Sequence, residues 1–190
     1  DPRDLHSFPT RRSSDLTSLR RLPGVLGIFI LLLDQGTKAL VMVRMPVEQS
    51  PRITVIPGFF DLVHFRNPGA AWGIMSSQTL LLAGLSAVVL IGLILAFDHL
   101  SEGFPERALA LGALAGGIAG NLVDRVLYRE VVDFLLFYWR SFHWPAFNVA
   151  DSAISCGVAV FVVSSFLRSR SSTETGTAAV GAGTGNQTNA

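Results

Sequence analysis

Two short segments repeat one arrangement: Asn121-Leu-Val-Asp124-Arg125 and Asn148-Val-Ala-Asp151-Ser152. In each, an amide precedes a carboxylate by three residues, which places both on one face wherever the backbone is helical. Two carboxylates brought together away from bulk water cannot both ionise readily, so they share a proton. One then acts as a base toward water and the other as an acid toward a carbonyl, a combination suited to amide hydrolysis. Asn121 and Asn148 are placed to hold the carboxylates or a bound backbone. Asp34 and Lys38, the only lysine, are four residues apart and share a helix face. A self-neutralising ion pair would have the same spacing, and Asp151 also reads as a charge at a helix N-terminus. Asn67, in Arg-Asn-Pro-Gly-Ala-Ala-Trp-Gly, is a further polar candidate. Other hydrolytic schemes lack their parts: there is no GxSxG, HExxH or CxxC, and Cys156 has no histidine near it in sequence and reads as core. His64 and His143 fit hairpin or interface roles.

The elements that must carry these residues belong in a membrane. The chain has 190 residues, 49% hydrophobic and 15% charged, with a net charge of +1. An average soluble domain is roughly a quarter charged. Near-neutrality gives no reason to expect a nucleic-acid partner, and a single cysteine excludes an internal disulfide framework. Apolar stretches at 22–43, 80–97, 108–128 and 150–167 predict four membrane-spanning helices, each close to the roughly 20 residues that cross the hydrocarbon layer. An ionisable group inside a span costs about 2.5–3.5 kcal/mol on insertion scales, so Asp34, Lys38, Asp124 and Asp151 are functional candidates. With four antiparallel spans, all the polar clusters fall at the end that bears the two longer connections. The first connection, ITVIPGFFDLVHF, alternates and turns at Pro57-Gly58, predicting a β-hairpin. The second, VVDFLLFYWRSFHWPAF, is aromatic and suits the headgroup layer. Five arginines on the terminal side against six on the long-loop side leave orientation undecided by charge.

Residues 3–16 match the in-frame translation of a common sequencing adapter, so 1–16 are assigned no function. Residues 169–190, rich in Ser, Thr, Gly and Ala, predict a disordered tail, leaving 17–168 as the functional unit.

Five motifs in order carry a family resemblance: Asp34-Gln-Gly-Thr-Lys38, Asn67-Pro-Gly-Ala-Ala-Trp-Gly73, Gly116-Gly-Ile-Ala-Gly-Asn-Leu-Val-Asp-Arg125, Val131-Val-Asp-Phe134 and Phe147-Asn-Val-Ala-Asp-Ser152. The chain resembles bacterial lipoprotein signal peptidases (signal peptidase II) over 22–167. The resemblance implies a membrane all-α fold: a four-transmembrane-helix bundle with a small β platform on the periplasmic side. It implies an aspartic endopeptidase that removes the signal peptide of diacylglyceryl-modified prolipoproteins just before the lipidated cysteine. Matched by motif, Asp124 and Asp151 become the catalytic pair. Asp34, Lys38, Asn67, Asn121, Arg125 and Asn148 become pocket-shaping or substrate-positioning residues, and Asp133 a structural support. No metal or organic cofactor is implied. The expected partners are the prolipoprotein substrate and membrane lipids, with the chain a monomer in the inner membrane, both termini cytoplasmic and the catalytic pair near the periplasmic face. The platform and the aromatic loop are expected to clamp the lipid-bearing segment through Phe59, Phe60, Trp72, Trp139 and Trp144. Two rivals stand beside this reading: a proton-coupled transporter subunit, since intramembrane Asp and Lys also build proton relays, and a non-catalytic chaperone for signal peptides.

Overall fold

The computed structural model describes residues 13–47, 52–69 and 78–182, with side chains described over 21–47, 52–69 and 78–168. Three helices have spans long and apolar enough to cross a bilayer: α1 (Ser13–Arg44), α4 (Pro105–Tyr128) and α5 (Val149–Ala182). Helix α2 (Thr79–Leu95) carries no charge but has 17 residues, about 25 Å at the helical rise. After a break at Ala96 the chain forms α3 (Phe97–Ser101), which runs from the last residue of the 80–97 apolar stretch into the connection before the next one. Helix α4 starts with Pro105 in its first turn, where the missing N–H costs nothing. It ends at Arg129, whose φ of 64° is left-handed and stops the helix.

Helix α4 is the axis of the bundle, packed against α1, α2 and α5. Its glycines make this possible. A Cβ on Gly27 of α1 would lie 2.8 Å from the Gly112 carbonyl oxygen, and one on Gly117 would lie 2.6 Å from that of Ala150. The backbones of α1 and α5 therefore rest directly on α4, as small residues allow in membrane helix packing. Large apolar side chains such as Ile28, Leu32, Val88, Leu95 and Phe166 face outward, where a lipid solvent takes the place of a protein core.

Above one end of the bundle lies an antiparallel sheet in the order β1 (Arg52–Ile56), β2 (Phe60–Asn67), β3 (Val131–Trp139) and β4 (Phe142–His143). The β1–β2 hairpin turns through Pro57, Gly58 and Phe59, with Gly58 at φ 78° supplying the conformation a side chain would oppose. The expected aromatic loop is in part a strand: β3 pairs with β2 from Phe60↔Phe137 to Asn67↔Val131, across a bulge between Leu62 and Phe65. Val41 and Met45 at the end of α1 pack with Val132 and Phe134 of β3, fastening the sheet to the bundle. Helix α5 continues to Ala182, through much of the stretch whose composition suggested disorder. Residues 183–190 lie outside the described residues, as do residues 1–12 of the adapter-like head.

A buried carboxylate and amide network as candidate active site

The polar residues from all five sequence motifs meet where the bundle joins the sheet. Lys38 is almost completely buried, at 1% exposure, and its Nζ donates to three oxygens. These are Asp34 Oδ2 at 2.8 Å, Asp124 Oδ2 at 2.9 Å and Asn121 Oδ1 at 3.0 Å. Asp34 Oδ1 accepts the Ala150 N–H at 2.9 Å, so a carboxylate on α1 caps the first turn of α5. Gly120 is required opposite it, because a Cβ there would sit 2.5 Å from Asp34 Oδ2.

Asp124 belongs to this structural cluster. Its Oδ1 accepts from Gln35 Nε2 at 2.9 Å, and its Oδ2 also accepts the Val132 N–H at 3.1 Å. It therefore ties α1, α4 and β3 together with both oxygens occupied. Breaking such a buried pair by removing one partner leaves an uncompensated charge, which makes the pair a structural tie.

Asp133 and Asp151 are placed differently. Both line a cavity of about 530 Å³, together with Asn67, Asn121, Arg125 and Cys156, whereas Asp124 does not line it. Asp133 Oδ2 accepts from Asn67 Nδ2 at 3.0 Å and Oδ1 from Asn148 Nδ2 at 2.7 Å. Asp151 Oδ1 accepts from Asn121 Nδ2 at 2.7 Å, and Oδ2 accepts the Asn148 N–H at 3.2 Å. Asn148 thus donates to both carboxylates. Its Oδ1 accepts the Asp151 N–H at 2.9 Å, closing a reciprocal capping box at the start of α5. Asp151 thus closes the cap of α5 while its carboxylate also lines the cavity. Burial first, and the nearby Asp151 charge second, push the Asp133 carboxyl up from 3.8 to about 7, against the amides of Asn67 and Asn148.

The amide orientations are interlocked. Asn121 Oδ1 accepts from Lys38 and from Asn148 Nδ2, the latter at 3.2 Å, which leaves Asn121 Nδ2 for Asp151. Arg125 reaches the Gly69 carbonyl at 3.3 Å and the Asn121 carbonyl at 3.4 Å, while its Nε is buried with no partner among the described residues. Cys156, expected as core, is exposed and lines the cavity, because its position on α5 faces outward from the α4 contact. Trp72 of the expected clamp lies outside the described residues. Phe59, Trp139 and Trp144 are substantially exposed on the sheet, and Trp144 also lines the carboxylate cavity.

Sequence reasoning brought the polar clusters to one end of the bundle but did not place Asp133 in the cavity or Gln35 in the network. Asp133 was read as a support and Gln35 was passed over. The signal for Asp133 was present: a lone carboxylate in the apolar run Val131-Val132-Asp133-Phe134 must be buried or functional.

Comparison with known proteins fits this geometry. The sequence profile of the Signal peptidase (SPase) II family matches residues 26–167. The chain belongs to the signal peptidase II family. A lipoprotein signal peptidase of Nitratidesulfovibrio vulgaris is 45% identical over 139 residues, covering 70% of this chain and 83% of the relative. One from Geobacter sulfurreducens is 46% identical over 136 residues, covering 70% and 84%. A solved bacterial membrane enzyme superposes with a TM-score of 0.72 at 31% identity, over 77% of this chain and 88% of that one. As a member of the signal peptidase II family the chain is a protease, and its apolar helices make it a multi-pass membrane protein.

Proposed function

We propose that this chain cleaves the signal peptide from lipid-modified prolipoproteins just before the lipidated cysteine, using Asp133 and Asp151 to activate water. The observation that carries the reading is the shared cavity: Asp133 and Asp151 line it together and hang on one residue, Asn148, while Asp124 is bound up with Lys38. This replaces the pairing of Asp124 with Asp151 drawn from motif positions. Asp124 becomes the support and Asp133 the catalytic partner.

In this reading the proton shared by the pair is placed on Asp133, whose carboxyl is pushed up by burial to about 7. Asp151 takes a proton from water as the water oxygen attacks the scissile carbonyl carbon, and Asp133 gives its proton to the carbonyl oxygen. The tetrahedral intermediate then collapses. Asp151 hands its proton to the leaving nitrogen as the C–N bond breaks, and Asp133 recovers a proton from the intermediate's hydroxyl. The pair ends in its starting state. Asn121, Asn148 and Asn67 hold the carboxylates, while Arg125 offers its unpartnered Nε–H to a substrate carbonyl.

The substrate suits the site's position. A signal peptide is an apolar segment, and its diacylglyceryl group fixes the height of the scissile bond at the membrane surface, where the bundle meets the sheet. On this reading residues 17–168 form the peptidase unit and α2 is the fourth crossing. Both termini are cytoplasmic, and the sheet lies at the periplasmic side of the inner membrane. A single chain supplies every group in the proposed steps, so the monomer suffices.

The test is cleavage of a diacylglyceryl-modified prolipoprotein by purified protein. Asp133→Asn and Asp151→Asn, each with unchanged helicity, are expected to lose activity by at least about a thousandfold. Full activity in either removes that residue from the pair.

A further inference from the structure

The opposite end of the bundle carries a second polar cavity, which shares no lining residue with the carboxylate site. It encloses about 420 Å³ between the start of α4 and the end of the α5 span, lined by residues that include His99, Glu102, Phe104, Arg107 and Arg168. Pro105 begins one membrane-spanning segment and Arg168 ends another, so the cavity lies at headgroup depth.

Arg107 is its inner wall, only 5% exposed. Its Nη1 donates to Glu102 Oε2 at 2.7 Å, and its guanidinium lies 5.0 Å from the Phe104 ring centre. Its Nε is buried and has no hydrogen-bond partner among the described residues. A guanidinium N–H in that state needs an acceptor that the described residues do not provide. Phe104 gives α4 no side-chain cap, so the positive end of a 24-residue helix opens beside it.

The surrounding charges make the cavity two-signed. Arg168 is engaged with Glu106, whose Oε1 also accepts from Ser164 Oγ at 3.0 Å. The Glu102 carboxylate is at the rim, 59% exposed, and Asp98 and His99 precede it on α3. Next to this cavity, sharing Arg168 with it, an apolar groove of about 580 Å³ runs along α5 past Val160, Val163 and Leu167.

We propose that this cavity and groove bind one membrane phospholipid with a zwitterionic phosphate–ammonium headgroup. The phosphate accepts from Arg107 Nε near the α4 terminus, the ammonium lies on Glu102, and one acyl chain follows the groove into the membrane. An anionic headgroup without an ammonium makes no charge-assisted contact with Glu102 and binds less well.

Native mass spectrometry of the full detergent-purified chain tests this, with phosphatidylethanolamine, phosphatidylglycerol and water-soluble phosphoethanolamine as probes. Expected is one tightly retained phosphatidylethanolamine, bound at least about tenfold more tightly than either other probe, as one lost charge-assisted contact implies. Glu102→Gln, an exposed change, is expected to abolish the preference over phosphatidylglycerol. Val163→Trp, which fills the groove from an exposed position, is expected to weaken the lipid but not phosphoethanolamine. Arg107→Gln is expected to weaken every phosphate probe; if it does not fold, the Glu102 and Val163 variants decide. Equal retention of the two lipids, a preference for phosphatidylglycerol, phosphoethanolamine binding as tightly as the lipid, or indifference to both exposed variants overturns the proposal.

Discussion

Asp124 and Asp133 are nine residues apart, both acidic and both almost fully buried, yet their surroundings give them opposite chemistry. Asp124 meets an ammonium at 2.9 Å and a backbone N–H at 3.1 Å. Asp133 accepts from two neutral amides and lies near the Asp151 carboxylate, and burial pushes its carboxyl up to about 7 against the more distant Lys38 charge. Asp124→Asn therefore costs stability, about 3 kcal/mol from a broken buried pair, while the folded fraction keeps activity within about tenfold. A thermal melt and a cleavage rate measured on the same sample separate the two effects. Activity is expected to fall as pH rises through about 7, where Asp133 loses the proton it must donate. Stability follows the same sign. The folded-state value is raised, so the folded form binds more protons between about 4 and 7, and this group's contribution declines as pH rises across that window. A cleavage rate that is flat up to pH 9 argues against Asp133 as the acid.

At the scale of elements, the helices were legible because their signal is local. Apolar runs near the bilayer length and the Pro57-Gly58 turn between alternating strands each follow from neighbours in sequence. The β3 strand was hidden. Its run Val131–Trp139 does not alternate cleanly, since one end is buried beneath the sheet and the other emerges as aromatic surface. The i, i+3 spacing on α4 correctly placed Asn121 and Asp124 on one face, and both do contact Lys38. Which carboxylate then shared a cavity with Asp151 depended on a strand arriving from outside the bundle, and no spacing rule reaches that far. Helix contact also makes a prediction. Gly116→Ala would put a methyl group against the Gly27 backbone, with the Gly27 Cα 2.9 Å away. Overpacking of this kind costs about 1–3 kcal/mol, measurable as a lower melting temperature in detergent. Gly84→Ala on α2, where a Cβ meets nothing within 4 Å, is the matched control and is expected to melt as the parent does.

Across the whole molecule, the polar network acts as the joint between membrane and surface parts. Lys38 and Gln35 both connect α1 to α4, and through Asn121 Lys38 fixes the amide facing Asp151 on α5. Lys38→Met leaves Asp34 and Asp124 buried together without a counter-charge, a loss expected at about 3–5 kcal/mol. It is also expected to free the Asn121 side chain to turn, lowering the cleavage rate in whatever fraction folds. A Lys38→Met protein with unchanged melting and unchanged rate would show that the joint carries no such coupling. The most direct measurement of the central claim is the single-turnover cleavage rate of a diacylglyceryl-prolipoprotein by Asp133→Asn and Asp124→Asn, compared side by side as folded proteins. Asp133→Asn is expected to be inactive, by at least about a thousandfold, and Asp124→Asn to retain cleavage. An active Asp133→Asn beside an inactive, fully folded Asp124→Asn would contradict that claim.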